Sequence, residues 1–207
     1  MHRSRRSNRT GAADARAWSR RFFLVAALSP ALGGCSGADA GAAVPVGLPP
    51  DVGQPLAADS PARPFLGTYR FAGGDAEREA VGRAIDASVS QVGSFLRGLA
   101  RKRLLAANRV PLELVMTGGG NSFVVLVDNR PYSGLLDGTP VKVTAETGDV
   151  MDMSFKFGPE MVQTFADPKK GRVNRFQLRG NQLVMHVRVY ANELPEEVTY
   201  DLTFLRQ

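Results

Sequence analysis

The sequence predicts a mainly β chain, an antiparallel up-and-down β-barrel with a helical insertion after its first strand. Two observations carry this expectation. From residue 109 onward, short alternating apolar runs follow one another at close spacing, separated by turn-forming residues. Ahead of them, a single apolar stripe repeats at three- and four-residue steps over several turns. A meander this long favours closure, because an open one leaves the polar groups of its edge strands unpaired.

The elements follow in order. Residues 65–71 read as the first strand, closed by Gly73 and Gly74. Asp75 is placed to cap a helix on which Val81, Ile85, Val89, Val92, Leu96 and Leu99 share one face, with Gly93 able to bend or divide it. Strands are then expected near 110–116, 122–128, 139–146, 149–157, 160–166, 171–179, 182–191 and 197–206. Gly, Pro, Asn and Asp at 118–121, 128–131, 137–138, 147–149, 158–159, 170–171 and 180–181 mark the connections.

The basic charge of the chain belongs to its first residues. Of 26 basic and 20 acidic residues, seven arginines and one aspartate lie within residues 1–34, which leaves 19 of each sign in the rest. A balanced surface lacks the excess of cations that nucleic acid binding needs, so no nucleic acid partner is expected. The single cysteine, Cys35, excludes an intramolecular disulfide. His186 is the only imidazole beyond the leader, so no histidine-rich metal site and no cofactor are expected.

The amino end has the order of an export signal, with an arginine-rich stretch, an apolar run over 22–32, and Gly33-Gly34 directly before Cys35. Leu32-Gly33-Gly34-Cys35 resembles the bacterial lipobox, which implies lipidation of Cys35, cleavage before it and tethering to a membrane. Ser19-Arg20-Arg21-Phe22-Phe23-Leu24 resembles the twin-arginine export motif; the alternative is a general secretory signal with Arg20 and Arg21 in its basic region. Ser36 stands where an aspartate would signal inner-membrane retention, so the resemblance implies an outer-membrane address, on the periplasmic face or cell surface. Residues 36–62 hold prolines at 45, 49, 50, 55 and 61 and no period. The expected organisation is therefore a signal peptide over 1–34, a lipidated cysteine and disordered tether over 35–63, and a barrel domain over 64–207.

Phe65-Leu66-Gly67-Thr68-Tyr69 resembles the opening Phe-x-Gly-Thr-Trp strand of the calycin group, the lipocalins and fatty-acid-binding proteins, with tyrosine in place of tryptophan. A helical insertion after that strand and an ending on a strand are similar to the fatty-acid-binding branch. The resemblance implies a barrel that holds a small apolar or amphipathic ligand such as a lipid or fatty acid. Arg188-Val189-Tyr190 resembles the Arg-x-Tyr pair with which that branch holds a carboxylate, although here it precedes the last strand. His186 shares its face, so His186, Arg188 and Tyr190 are the candidate ligand residues. The same three residues also read as a solvated outer face opposite Leu183, Met185, Val187 and Val189.

Arg97, Arg101, Lys102 and Arg103 form a basic run near the end of the helical segment, placed either to touch anionic lipid or to favour a helix carboxyl end. Three functional classes stay open. The first is a membrane-anchored binding barrel, the second a packed scaffold that reads partners by its loops or outer strands, and the third an enzyme, for which the sequence offers no catalytic dyad.

Overall fold

A computed structural model describes residues 54–145 and 147–207. The expected signal peptide, the lipidation site at Cys35 and the first part of the tether lie outside the described residues.

Ten strands form one antiparallel sheet in the order β4-β3-β2-β1-β10-β9-β8-β7-β6-β5. They are β1 (Gly67–Phe71), β2 (Glu113–Gly119), β3 (Ser122–Val127), β4 (Arg130–Leu135), β5 (Val141–Thr144), β6 (Val150–Phe157), β7 (Met161–Ala166), β8 (Lys170–Arg179), β9 (Gln182–Ala191) and β10 (Val198–Arg206). Every strand pairs with its neighbour in sequence except β4 with β5, and β1 pairs with both β2 and β10. The result is the nearly closed up-and-down barrel that the sequence predicts, with a helical pair after the first strand.

The insertion is two helices, α1 (Gly74–Ser88) and α2 (Ser94–Ala107). Gly93, at φ −53° and ψ 141°, has extended backbone and divides them. α1 turns Val81 and Ile85 into the core. Its first-turn Glu77 accepts hydrogen bonds from the Thr203 amide and hydroxyl, both at 2.7 Å, and so fixes the helix to β10. α2 buries none of its own residues; Leu104 and Leu105 are only partly covered.

One strand, β4, was expected as a connection. Only Asp128 and Asn129 form the turn, both at positive φ (47° and 69°), as a two-residue hairpin of primed type requires. Pro131, Ser133 and Gly134 give β4 little strand propensity. It stands at the end of the hydrogen-bonded order, where a proline without an N–H is tolerated. β2 begins three residues later than expected, because the chain leaving α2 first runs through Asn108 to Leu112 before pairing.

The end of the barrel opposite the helices is sealed by the chain that enters it. Leu56, Ala62 and Phe65 are buried in the core, and Arg63–Phe65 form a short 3-10 helix. The folded part therefore starts before residue 64, inside the stretch expected as disordered tether. The buried Tyr69 hydroxyl donates to the Phe65 carbonyl at 2.8 Å. Arg206, on the last strand, donates to the Tyr69 hydroxyl and to the Pro64 carbonyl, with its guanidinium 5.1 Å from the Tyr69 ring centre. First strand, last strand and entering chain thus share one polar junction beneath the apolar core.

Where β4 faces β5 and β6, side chains replace the missing ladder. Arg130 donates to the carbonyls of Thr144 at 2.7 Å and Ala145 at 2.9 Å. Phe155 of β6 packs directly on Gly134: a β-carbon there would lie 2.8 Å from Phe155 Cδ2 and 3.0 Å from Met153 Cε. Phe123 meets Phe155 and Phe157 edge-on at centroid distances of 5.4 and 5.0 Å. Gly134→Ala is expected to lower stability by about 1–3 kcal/mol through overpacking. Gly82→Ala, in an α1 position where a β-carbon meets open space, is expected to raise stability by roughly 0.5–1 kcal/mol. Chemical denaturation of both variants checks the contrast; equal destabilisation would contradict this closure.

Candidate functional site

The interior holds apolar and polar side chains at different depths. Tyr69, Phe123, Phe155, Phe176, Phe204, Leu114, Met116, Met153, Met161 and Leu202 leave under 2% of their surface accessible to water, so the middle and sealed end of the barrel form a close-packed core. Toward the helices, Met151, Phe165 and Tyr200 each keep 7%. Polar side chains enter the core on this side.

They come from adjacent strands in register. Gln163 of β7 pairs with Asn174 of β8, Asn174 with Val187 of β9, and Val187 with Tyr200 of β10. Arg172 lies two residues before Asn174 and therefore on the same inward face. Asn174 Nδ2 donates to Gln163 Oε1 at 3.0 Å, and Gln163 Nε2 points to the Met153 sulfur at 3.6 Å. Arg172 Nε donates to Asn174 Oδ1 at 2.8 Å. Its Nη1 reaches the Ala107 carbonyl and Asn108 Oδ1, each at 3.4 Å. The Tyr200 hydroxyl donates to Asn108 Oδ1 at 3.0 Å.

Gln163, Asn174 and Asn108 are buried; the first two bond each other, and Asn108 bonds the Leu104 carbonyl, Tyr200 and Arg172, so their amides are satisfied as buried polar groups must be. Arg172 differs. It is half-buried and charged, yet all its hydrogen-bond acceptors are neutral, and it forms no ion pair among the described residues. Burial pushes the Tyr200 phenol above its ordinary pKa, while the nearby Arg172 acts in the opposite direction. Arginine and phenol together make a donor-rich spot beside an apolar wall that includes Phe165, against which Tyr132 packs edge-on at 5.2 Å.

His186, Arg188 and Tyr190 lie elsewhere. On β9 the inward phase belongs to Leu183, Met185 and Val187, all in the core, so the three candidates point outward. There His186 Nδ1 bonds Asp201 at 2.6 Å and Arg188 faces Glu197 at 3.8 Å, both at exposed positions. Tyr190 crosses Gly171, where a β-carbon would collide with its hydroxyl, and Arg188 sits 5.4 Å from its ring centre. These are cross-strand contacts of a sheet exterior. A carboxylate held inside the barrel would not meet them.

The basic run of α2 divides in two. Arg97 turns back onto the loop before its helix, donating to the carbonyls of Ser90 at 2.8 Å and Val92 at 3.1 Å. Arg101 pairs with Asp86 of α1, and its hydrogen bond holds that carboxyl below the usual range. Lys102 and Arg103 are exposed and have no ion pair or hydrogen bond among the described residues. On the same helix Phe95 is 92% and Leu99 49% exposed.

Sequence reasoning missed Arg172, Asn174, Gln163, Asn108 and Tyr200. One signal was present: Gln163 stands in phase between Met161 and Phe165, a polar residue on an otherwise apolar face. Two hollows lie elsewhere, one of about 570 Å³ at Arg70, Leu112, Glu113, Asp128 and Asn129, and one of about 430 Å³ near Pro61, Leu136 and Lys156. Both are open to the exterior and neither contains the interior cluster. Among the described residues no three His, Cys, Asp or Glu side chains converge as a metal site would.

No protein-family model matches the chain, and no curated protein matches it. Solved structures do. The REP1-NXSQ fatty acid transporter is 14% identical, with 70% of this chain and 97% of that chain covered and a TM-score of 0.44. Lipid binding protein 8 of Caenorhabditis elegans is 11% identical, covering 70% and 96%, with a TM-score of 0.44. Fatty-acid-binding protein 1 of Echinococcus granulosus is 18% identical, covering 70% and 98%, with a TM-score of 0.41. The likeness lies in the arrangement of strands and helices.

Proposed function

We propose that this chain is an exported lipoprotein, anchored through Cys35, whose barrel binds a small amphipathic anion, such as a fatty acid, at its helix-covered end. The observation that carries this reading is the interior Arg172 guanidinium with only neutral partners. A half-buried cation is favoured when an anion completes it, and a guanidinium offers a carboxylate two parallel donors. The adjacent apolar groups suit the other part of an amphiphile. Because the deeper core is full, the apolar part of the ligand is short or runs back toward α2.

The second reading, a packed scaffold that reads partners by its surface, is favoured by that same dense core. The two separate on binding. In calorimetry with laurate, the full chain is expected to bind, Arg172→Gln to bind at least about ten-fold more weakly, as loss of a charge-assisted hydrogen bond implies, and Arg172→Lys to fall between them. Binding by neither chain would refute the carrier and leave the scaffold, and equal binding by the wild-type and Arg172→Gln chains would refute Arg172 as the site.

Membrane attachment rests on the lipobox-like sequence before Cys35 and on α2, which offers Phe95, Leu99, Lys102 and Arg103 as an apolar and cationic surface. The entering chain seals the opposite end. The 18 residues from 36 to 53 can span at most about 60 Å, against roughly 33 Å for a ten-residue strand such as β9, enough to let α2 meet the membrane that holds the lipid. On cell fractionation, Cys35→Ser is expected to move the protein out of the membrane fraction. Its residual binding to anionic vesicles is expected to disappear when Phe95, Lys102 and Arg103 are also changed to Ser. A Cys35→Ser chain that stays fully membrane-bound would contradict the anchor, and unchanged vesicle binding by the quadruple variant would contradict the role of α2.

A further inference from the structure

The same arginine that would receive the anion also holds the carboxyl end of α2, and that double use has a consequence. α2 buries none of its residues. Its attachments to α1 and the loop before it, through Arg101 to Asp86 and Arg97 to the carbonyls of Ser90 and Val92, are largely exposed. Exposed ion pairs of this kind contribute little. Leu104 and Leu105 pack partly covered against the core, and the buried polar attachment is Asn108, which terminates the helix. Its Nδ2 donates to the Leu104 carbonyl at 2.8 Å, while its Oδ1 accepts from Tyr200 at 3.0 Å and from Arg172 at 3.4 Å. The Ala107 carbonyl accepts from Arg172 as well, at 3.4 Å.

We infer that Asn108, Arg172 and Tyr200 form a latch, in which the carboxyl end of α2 occupies the donors an anionic headgroup needs, so that ligand entry and release of α2 are one exchange. The inference rests on the anion-binding reading of Arg172. A carboxylate held by Arg172 Nη1 and the Tyr200 hydroxyl takes the place of Asn108 Oδ1 and the Ala107 carbonyl, because the single phenolic proton serves one acceptor and Nη1 faces both of theirs. It wins the competition, since a guanidinium–carboxylate bond joins two ions and is shorter and stronger than the 3.4 Å contacts with neutral acceptors that it displaces. By linkage, whatever loosens α2 raises affinity for the anion, and the anion loosens α2 to the same extent. Lys102 and Arg103 lie on the final turns of this helix, so the segment freed by the ligand is the segment offered to an anionic surface.

Amide hydrogen exchange of the full chain, read over residues 95–107 with and without saturating laurate, tests the exchange, together with laurate affinity in two variants. Laurate is expected to speed exchange across α2 in the wild-type chain. Asn108→Ala, which removes the competing acceptor, is expected to speed exchange without ligand and to raise laurate affinity about five-fold, the equivalent of one neutral hydrogen bond. Asn108→Asp places a carboxylate against Arg172 and is expected to slow α2 exchange and weaken laurate binding at least ten-fold. A merely structural Asn108 would give lower affinity in the alanine variant. Arg172-dependent laurate binding with α2 exchange unchanged, or with affinity unmoved in both variants, would overturn the latch while leaving the binding reading intact. Absence of laurate binding to the wild-type chain would overturn both.

Discussion

Between β4 and β5 the backbone ladder stops, and the barrel closes through side chains alone. Gly134 lacks a β-carbon where Phe155 needs room, and Arg130 spans to the carbonyls of Thr144 and Ala145. The rest of the molecule depends on that closure. It brings Phe123, Phe155 and Phe157 into one aromatic cluster, and it sets Tyr132 against Phe165. At the sealed end, Tyr69 and Arg206 tie the first strand to the last beneath the same core. A ten-stranded sheet held at both places presents one continuous inner face, on which polar groups have little solvent to turn to.

That constraint gives the interior cluster its meaning. Buried amides are common and satisfy one another, as Asn174 and Gln163 do. A guanidinium confined to neutral acceptors is costlier, because desolvation is only partly offset. It stands at the helix-covered end and is itself only half-buried. The same strands that fill the middle of the barrel with Phe176, Met161 and Leu202 supply Arg172, Gln163 and Tyr200 nearer α2. Close packing and the proposed anion site therefore occupy different depths of one barrel.

The architecture was legible because period-two alternation and turn residues are local signals. β9 shows it: Leu183, Met185 and Val187 sit in one phase and the polar residues in the other. β4 was hidden because proline, serine and glycine read as a turn, and only its place at the end of the sheet order makes them acceptable. The site was less legible. Arg188 and Tyr190 have the right spacing for a headgroup clamp, but spacing within a strand does not say which face points inward. Both faces of β8 mix apolar and polar residues, and Asn108 reaches Tyr200 across 92 residues of sequence. Only register and helix placement unite such residues.

The interior Arg172, which has only neutral partners among the described residues, is central, and its side-chain Nε–H resonance reports on it directly. Titrating the full chain with laurate and following that resonance by NMR, alongside those of Arg188 and the Asn108 amide, separates interior from exterior binding. Saturable shifts of Arg172 and Asn108 in concert, with Arg188 unmoved, are the expected result. An Arg172 resonance that stays in place, or one that moves no more than that of Arg188, would contradict it.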